Sequence, residues 1–261
     1  MIPTGLDVDP AGRIWVAEGP GRFAIFDVDG RFVERWGTAG SGDGEFDFDN
    51  ANSGNPTAAI AFGPDGGFYV ADTGNFRIQQ FDADRAFVRA WGGFGKGPGQ
   101  FAIPFDLDVD AQGNVYVTTG NGSVQAFTGD GTYLRTIGSP GPGDGQLANA
   151  GLAVSGDRLL VADWDNHRVA VFALDGTFLE NWPVRGDPND IDAAPDGTAY
   201  VSASGRIVVL DAGGSILGEI AASTRYPSFV VALDDDRLAL TGWQSDPPRA
   251  GYAEIRRVVR P

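Results

Sequence analysis

Apolar residues in this chain fall in short runs dense in Val, Ile, Phe, Tyr and Trp. Gly, Asp, Asn or Pro closes each run. Such a pattern predicts short β-strands joined by tight turns. One stretch shows the unit clearly: Ala59–Phe62, Phe68–Ala71, Arg77–Asp82 and Phe87–Trp91 read as four consecutive strands. The turns between them include Pro64–Gly67 (PDGG) and Asp82–Arg85 (DADR). Gly there supplies positive φ, and Asp bonds back to its own backbone. Nowhere does an apolar period of about 3.6 residues persist for three turns, so no amphipathic helix is expected.

The unit recurs. "GRIWVAEGPGRFAIFD" (12–27), "GGFYVADTGNFRIQQFD" (66–82) and "DRLLVADWDNHRVAVF" (157–172) are close copies. "GNVYVTTGNGSVQAF" (113–127) and "GTAYVSASGRIVVLD" (197–211) are weaker ones, and a degraded copy runs from 236 to 258. A spacing of roughly 40–55 residues marks a repeat architecture. Six copies of four strands predict an all-β chain, a six-bladed β-propeller of four-stranded antiparallel blades. The blades are expected near 1–46, 56–101, 104–147, 149–185, 188–222 and 226–261, in one domain spanning 1–261. Met1–Pro3 is too short to supply an outer strand, and "YAEIRRVVRP" reads as the third strand of the last blade. Either that blade is incomplete or the sequence is a piece of a longer protein. The second reading is preferred, and it would hide an anchor or partner domain.

"YVADTGNFRIQQFD" followed by "WGGFGKGPGQFAIP" (Tyr69–Pro104) resembles the NHL repeat family, as does "VADWDNHRVAVFALDGTFLENW". The resemblance covers nearly the whole chain, strongest in blades one, two and four and poorest in six. It implies the propeller fold. Members of such families serve as protein-binding, RNA-binding and sensor modules and, in a few cases, as lyases, so the fold alone does not assign a function.

Composition narrows the choice. The 261 residues carry 35 acidic and 19 basic side chains, a formal net charge of −16, and a single lysine, Lys96. Nucleic-acid binding draws its affinity from Lys and Arg that neutralise phosphates, so nucleic acid is not an expected partner. An acidic surface also favours a soluble monomer. No apolar run reaches the roughly 18 residues that span a bilayer, and the opening residues lack the basic start and apolar core of a signal peptide. The sequence leaves the compartment open: extracytoplasmic if the chain belongs to a longer anchored or secreted protein, cytoplasmic otherwise. With no Cys, disulfide and thiolate chemistry are excluded.

In a propeller, the loops joining strand two to three and strand four to the next blade share one face with the channel mouth. Four features fall there. Arg22, Arg77, Arg168 and Arg206 open third strands, with Glu18, Asp72 and Asp163 ending the second strands opposite the first three. These read as cross-strand ion pairs. Blade three holds Thr119 and Ser123 at the two positions, the joint loss expected of a structural pair. Arg206 faces Ser202 and stands as a candidate anion-binding residue. Inner strands carry Asp7, Asp106, Asp108, Asn189, Asp190 and Asp192, with Asn149 opening a fourth. Converging oxygens at a channel mouth suit Ca²⁺; the plainer reading is that they accept backbone N–H bonds between blades. An insertion, Asp47–Asn55, brings Glu45, Phe46, Asp47, Phe48, Asp49 and Asn50 together as a cation site, a partner-binding lip or a plain surface loop. Finally, Trp36, Trp91 and Trp182 close fourth strands and read as packing, whereas Trp164, Trp243 and Phe105 lie toward the binding face as candidate anchors.

His167 is the only histidine, and it sits in the repeat phrase DNHRV. It reads as a scaffold residue, since a general base needs a positioned network. Zinc held by several His or Cys is excluded, and no G-x-S-x-G elbow accompanies a Ser–His–Asp set. Lyase relatives that use more than one His are excluded likewise. Gly92–Gln100 is Gly-rich but precedes no helix, and Asp108–Asn114 lacks the twelfth-position Glu of a Ca²⁺ loop. The leading expectation is a non-catalytic protein-interaction or ligand-sensing module, with Trp164, Trp243, Arg206 and Phe105 as its binding residues. The alternative is a Ca²⁺-dependent sugar-lactone or ester hydrolase resembling the gluconolactonase propellers. There Asp106, Asn149, Asn189 and Asp190 would hold the metal, with Asp190 as base. Thr4 stands where that family has a Glu.

Overall fold

The computed structural model describes residues 5–49, 58–148, 151–222, 226–234, 237–243 and 251–257. These form a six-bladed propeller of antiparallel sheets. Blade one pairs Leu6–Val8, Ile14–Glu18, Arg22–Phe26 and Phe32–Trp36, from the channel outward. Blade two pairs Ala59–Phe62, Phe68–Asp72, Arg77–Phe81 and Phe87–Gly92. Blade three pairs Leu107–Val109, Val115–Thr118, Val124–Phe127 and Tyr133–Ile137. Blade four pairs Leu152–Ser155, Arg158–Asp163, Arg168–Ala173 and Phe178–Pro183. Blade five pairs Pro188–Ala193, Ala199–Ala203, Arg206–Leu210 and Ile216–Ala221. The sixth sheet holds three strands among the described residues, Tyr226–Asp234, Arg237–Trp243 and Gly251–Arg257.

Aspartate builds the turns. Asp9 accepts the N–H groups of Ala11 and Arg13 on one carboxylate oxygen, and Trp15 Nε1 and Arg13 Nε on the other. Asp110 does the same with Gln112, Asn114 and the Tyr116 hydroxyl. Asp82 and Asp211 repeat the backbone half of that pattern in later hairpins. Much of the negative charge is therefore turn chemistry, as side chains that mimic a backbone turn require.

The fourth strands follow one rule. In each, the register against the third strand shifts by one residue near its start, bulging out Val33, Val88, Leu134, Leu179 and Leu217. All five are exposed. Such a bulge twists an outer edge and makes it a poor template for further pairing. Four residues after the start comes Trp36, Trp91, Ile137, Trp182 or Ile220, and each packs into the core shared with the next blade. Trp91 and Trp182 lie against the turn glycines Gly131 and Gly214 of the following blades, leaving no room there for a β-carbon.

The repeat signature itself is a staple. Asp72 and Asp163, both 0% exposed, end the second strands of blades two and four. Asp163 accepts Ala148 N–H at 2.7 Å, Asn166 Nδ2 at 2.8 Å and Arg168 Nε at 2.8 Å. Arg168 then reaches the carbonyls of Gly143 and Gln146 in the preceding connection. Asp72, Asn75 and Arg77 repeat this against Asp47 N–H and the Gly42 and Glu45 carbonyls. Each staple thus ties one blade to the loop that leaves the one before. Blade three does the job differently: Gln125 reaches Gly97, Gly99 and Gln100 there, while Thr119, Asn121 and Ser123 bond among themselves. In blade one the expected Glu18–Arg22 pair is replaced. Glu18 takes Arg35 from the fourth strand at 2.9 Å, because Arg22 points to solvent.

Candidate functional site

Five carboxylates line the channel, and they come from alternate blades. Asp7 is on blade one, Asp106 and Asp108 on blade three, Asp190 and Asp192 on blade five. The two-residue strand period puts each pair on one face. Every one of them reaches the inner strand of the next blade. Asp7 accepts Phe62 N–H at 3.1 Å, Asp106 accepts Leu152 at 2.7 Å, and Asp108 accepts Val154 at 2.7 Å. Asp190 accepts Val230 at 2.9 Å and Asp192 accepts Ala232 at 2.7 Å. The second oxygens of Asp7, Asp106 and Asp108 accept the N–H of the following residue. The channel acids are thus bridges from blades one, three and five to blades two, four and six.

Crowding these groups away from water raises their pKa values. Burial pushes Asp106 up to about 7 against the pull of its N–H donors, and the Asp192 charge adds to the rise. Burial and the same neighbour push Asp108 up to about 7, and burial pushes Asp192 to about 6. Asp7 is raised by burial and by the charge of Asp108, and Asp190 by burial and by the charge of Asp106. Asp106 and Asp190 lie close enough across the channel for each to shift the other. The space among the acids is about 50 Å³. One residue nearer the mouth, the Phe105 ring stacks on Phe229 from the opposite blade with centroids 6.0 Å apart. Phe105 is therefore half-buried in a ring pair that spans the mouth. Sequence reasoning missed this closure, because Phe229 is distant in the chain and carries no signal of its own.

Of the four residues named for a metal, Asp106 and Asp190 line the same channel space, Asn189 is half-buried and does not line it, and Asn149 lies outside the described residues. Among the described residues no three acidic or imidazole groups converge as a metal cluster.

The top face carries the aromatic groups. Trp164 opens a 3-10 turn, Trp164–Asn166, and is 41% exposed. His167 follows in the left-handed region (φ 54°), and its Nδ1 lies 2.9 Å from Asp187 on the connection to the next blade. The lone histidine thus has a carboxylate partner that the repeat phrase did not reveal. Blade two has Phe76 at the matching left-handed position (φ 56°), and its ring meets exposed Phe94 edge-on at 5.0 Å. Arg206, expected to face Ser202 and lack a partner, stands opposite Ala203 in the register and pairs instead with Glu219 of the fourth strand at 3.1 Å. Trp243 is the last residue of a second strand, not a loop residue, and its side chain lies outside the described set. In the insertion, Phe46 and Phe48 are core residues stacked on each other and edge-on to Phe23, so no aromatic lip forms from them. Its remaining positions, 50–55, lie outside the described residues. No described helix is long and apolar enough to cross a membrane.

The NHL repeat family matches residues 58–81 and 150–172, the two blades that carry the Asp–Asn–Arg staple. No curated protein matches the chain by sequence. Solved structures share its shape. A gluconolactonase from Xanthomonas campestris is 19% identical with a TM-score of 0.67, over 97% of this chain and 86% of that one. A putative gluconolactonase is 14% identical with a TM-score of 0.68, over 99% and 91%. The virginiamycin B lyase from Staphylococcus aureus is 14% identical with a TM-score of 0.62, over 96% and 83%. At these identities the likeness is one of fold. The chain is a six-bladed β-propeller that carries NHL repeats.

Proposed function

We propose that this propeller is a binding module that engages a protein or small-molecule ligand through its top face and performs no catalysis. One observation carries the reading: the channel acids, where a propeller enzyme would place its chemistry, accept backbone N–H groups of neighbouring blades beneath the Phe105–Phe229 ring pair. A space of about 50 Å³ is far below the roughly 300–1,000 Å³ of small-molecule sites. Exposed aromatic area sits instead on the surrounding loops, at Trp164 and at Phe94, against which the half-buried Phe76 packs. Trp in that setting is a typical anchor, because it buries a large surface while ordering few bonds. The test is affinity capture from the native cell extract with wild type and Trp164→Ala side by side. Partners retained by wild type and lost by the variant support the siting. Partners held equally by both refute it.

A second reading, a metal-dependent lactone or ester hydrolase, is favoured by the fold shared with gluconolactonases. Asp106, Asn189 and Asp190 would be its ligands. The described residues fit a cation poorly, since Asp106 and Asp190 already accept backbone N–H groups of the next blades and no three acidic groups among the described residues converge as a cluster. Calcium titration of chelator-treated protein by calorimetry decides between the readings. A site tighter than about 10⁻⁴ M that Asp190→Asn abolishes would establish the second.

A further inference from the structure

A row of side chains crosses blade two on the face it turns to blade three. Ala61, Tyr69, Gln80 and Arg89 stand opposite one another in register. At the position of Gln80 the other four-stranded blades carry Ile25, Ala126, Val171 and Val209, all buried. Gln80 thus puts an amide in a place otherwise given to apolar packing. Its Nε2 donates to the Tyr69 hydroxyl at 3.3 Å, and its buried Oε1 has no partner. Exchanging the amide's O and N leaves the same deficit at the other end. Buried polar atoms are ordinarily met by a partner, so this one points to a missing donor or acceptor. Two glycines stand in front of it. Asp9 and Asp110 hold Trp15 and Tyr116 from within their own hairpins. Blade two has Gly63 at that place, and the Tyr69 hydroxyl donates across the seam to Gly129 O at 3.2 Å. Gly129 stands where blade four has Leu174, whose side chain packs against the core. A β-carbon on Gly129 would lie 2.9 Å from the Tyr69 hydroxyl. Between the two blades lies an open cavity of about 350 Å³, lined by Tyr69, Gln80, Arg89, Asp65, Gln112 and Asp130. That volume falls within the roughly 300–1,000 Å³ of small-molecule sites. The cavity sits at the hairpin turns, on the face opposite the channel-mouth loops.

We propose that this cavity is a binding site for a neutral saccharide unit. Its walls mix acceptors with donors. Gln80 Oε1 is an acceptor without a donor. Asp65 and Asp130 each use one carboxylate oxygen in their own turns, so each has a second oxygen for a ligand. Arg89 spends one N–H on the Asp130 carbonyl at 3.2 Å and makes no ion pair among the described residues. Neighbouring sugar hydroxyls suit such a wall, because each hydroxyl donates and accepts at once. Planar guanidinium and carboxylate groups can each engage two of them. A simple anion would face two carboxylates there, and a simple cation would face Arg89. Burial and then the Asp65 charge raise the pKa of Tyr69, with Arg89 opposing, so the floor keeps a neutral hydroxyl. One sugar hydroxyl then donates to Gln80 Oε1, a neighbouring one accepts from Arg89, and Pro64 offers the ring an apolar wall.

The experiment follows the side-chain amides of Gln80 and Gln112 by NMR of the isotope-labelled full chain. Glucose, galactose, mannose and N-acetylglucosamine are added in turn, each to about 50 mM. The proposal expects saturable shifts of both amides with at least one of these sugars. Half-saturation should fall at about 1–10 mM, the range open to a ligand of about a dozen non-hydrogen atoms. Gln80→Val installs the residue type of Val171 and Val209 at the matching place. The melting temperature should therefore hold, while sugar affinity read at Gln112 falls about tenfold or more. Arg89→Gln, a change at an exposed position, should weaken binding several-fold. No saturable shift with any of the sugars would overturn the site. Undiminished binding by Gln80→Val would place the sugar elsewhere and overturn the siting. Saturation by free alanine and by none of the sugars would overturn the ligand class. None of these outcomes bears on capture through Trp164, so the two proposals fail separately.

Discussion

Replacing Asp163 by Ala should be among the most damaging single changes in this protein. The carboxylate is 0% exposed, while its partner Arg168 is 12% exposed. Removing the acid orphans three donors at once: Ala148 N–H, Asn166 Nδ2 and Arg168 Nε. The guanidinium stays tethered to the Gly143 and Gln146 carbonyls and so keeps its charge in a buried place. Breaking a buried pair from one side costs about 3–5 kcal/mol, most of it the penalty of the charge left behind. For a chain of this size each kcal/mol lowers the melting temperature by about 2–4 °C, so the loss should be roughly 6–20 °C. Urea denaturation provides the free energy, and an unchanged slope shows that the same surface unfolds. Glu18→Ala is the internal control. Its pair with Arg35 is solvent-exposed, and exposed pairs contribute about 0–1 kcal/mol. The double variant Asp163→Ala/Arg168→Ala should be less damaged than the two single losses added together, because the stranded charge is gone. If Asp163→Ala costs no more than Glu18→Ala, the staple is not holding the blades and the reasoning fails.

Three further outcomes follow from the same structure. Asp106, Asp108 and Asp192 have folded values of about 7, 7 and 6, against about 3.9 when unfolded. The folded state therefore binds more protons across that window, and stability should fall as pH rises from about 4 to about 7. Asp108→Asn should flatten that slope, and stability that climbs with pH over the same range would contradict the channel electrostatics. Trp182→Ala, at a buried junction between blades, should cost about 3–5 kcal/mol in denaturant, whereas exposed Trp164→Ala should stay within about 0.5 kcal/mol; similar costs for both would refute the division between packing and binding tryptophans. Adding millimolar calcium to chelator-treated protein should leave the melting temperature unchanged, and a saturable rise would revive the hydrolase reading.

Local rules were readable because they act over a few residues. The strand runs of blade two appear within one residue of their reading, since alternation and turn residues are chain-local signals. The Asp72–Arg77 and Asp163–Arg168 pairs were legible for the same reason: a hairpin holds them opposite each other. Glu18 shows the limit. Its hairpin neighbour Arg22 is right by register, yet Arg35, seventeen residues on, wins the contact. Arg206 repeats the lesson with Glu219 on the next strand. Phe46 and Phe48 looked like an exposed insertion because nothing in their neighbourhood announces the aromatic core of Phe23, Trp36 and Phe81 that receives them.

By itself the sequence determined the repeat, the strands, the Asp-built turns and the packing tryptophans that end fourth strands, because each rests on backbone sterics and short-range bonds. Only the tertiary structure decided the meaning of the channel acids. Their spacing was compatible with a cation or with backbone donors, and closing the ring brought Leu152, Val154, Val230 and Ala232 N–H groups within bonding distance of them. Closure also set Phe105 against Phe229 across the mouth. These are contacts between blades far apart in the chain, and their chemistry exists only once the circle of blades is formed.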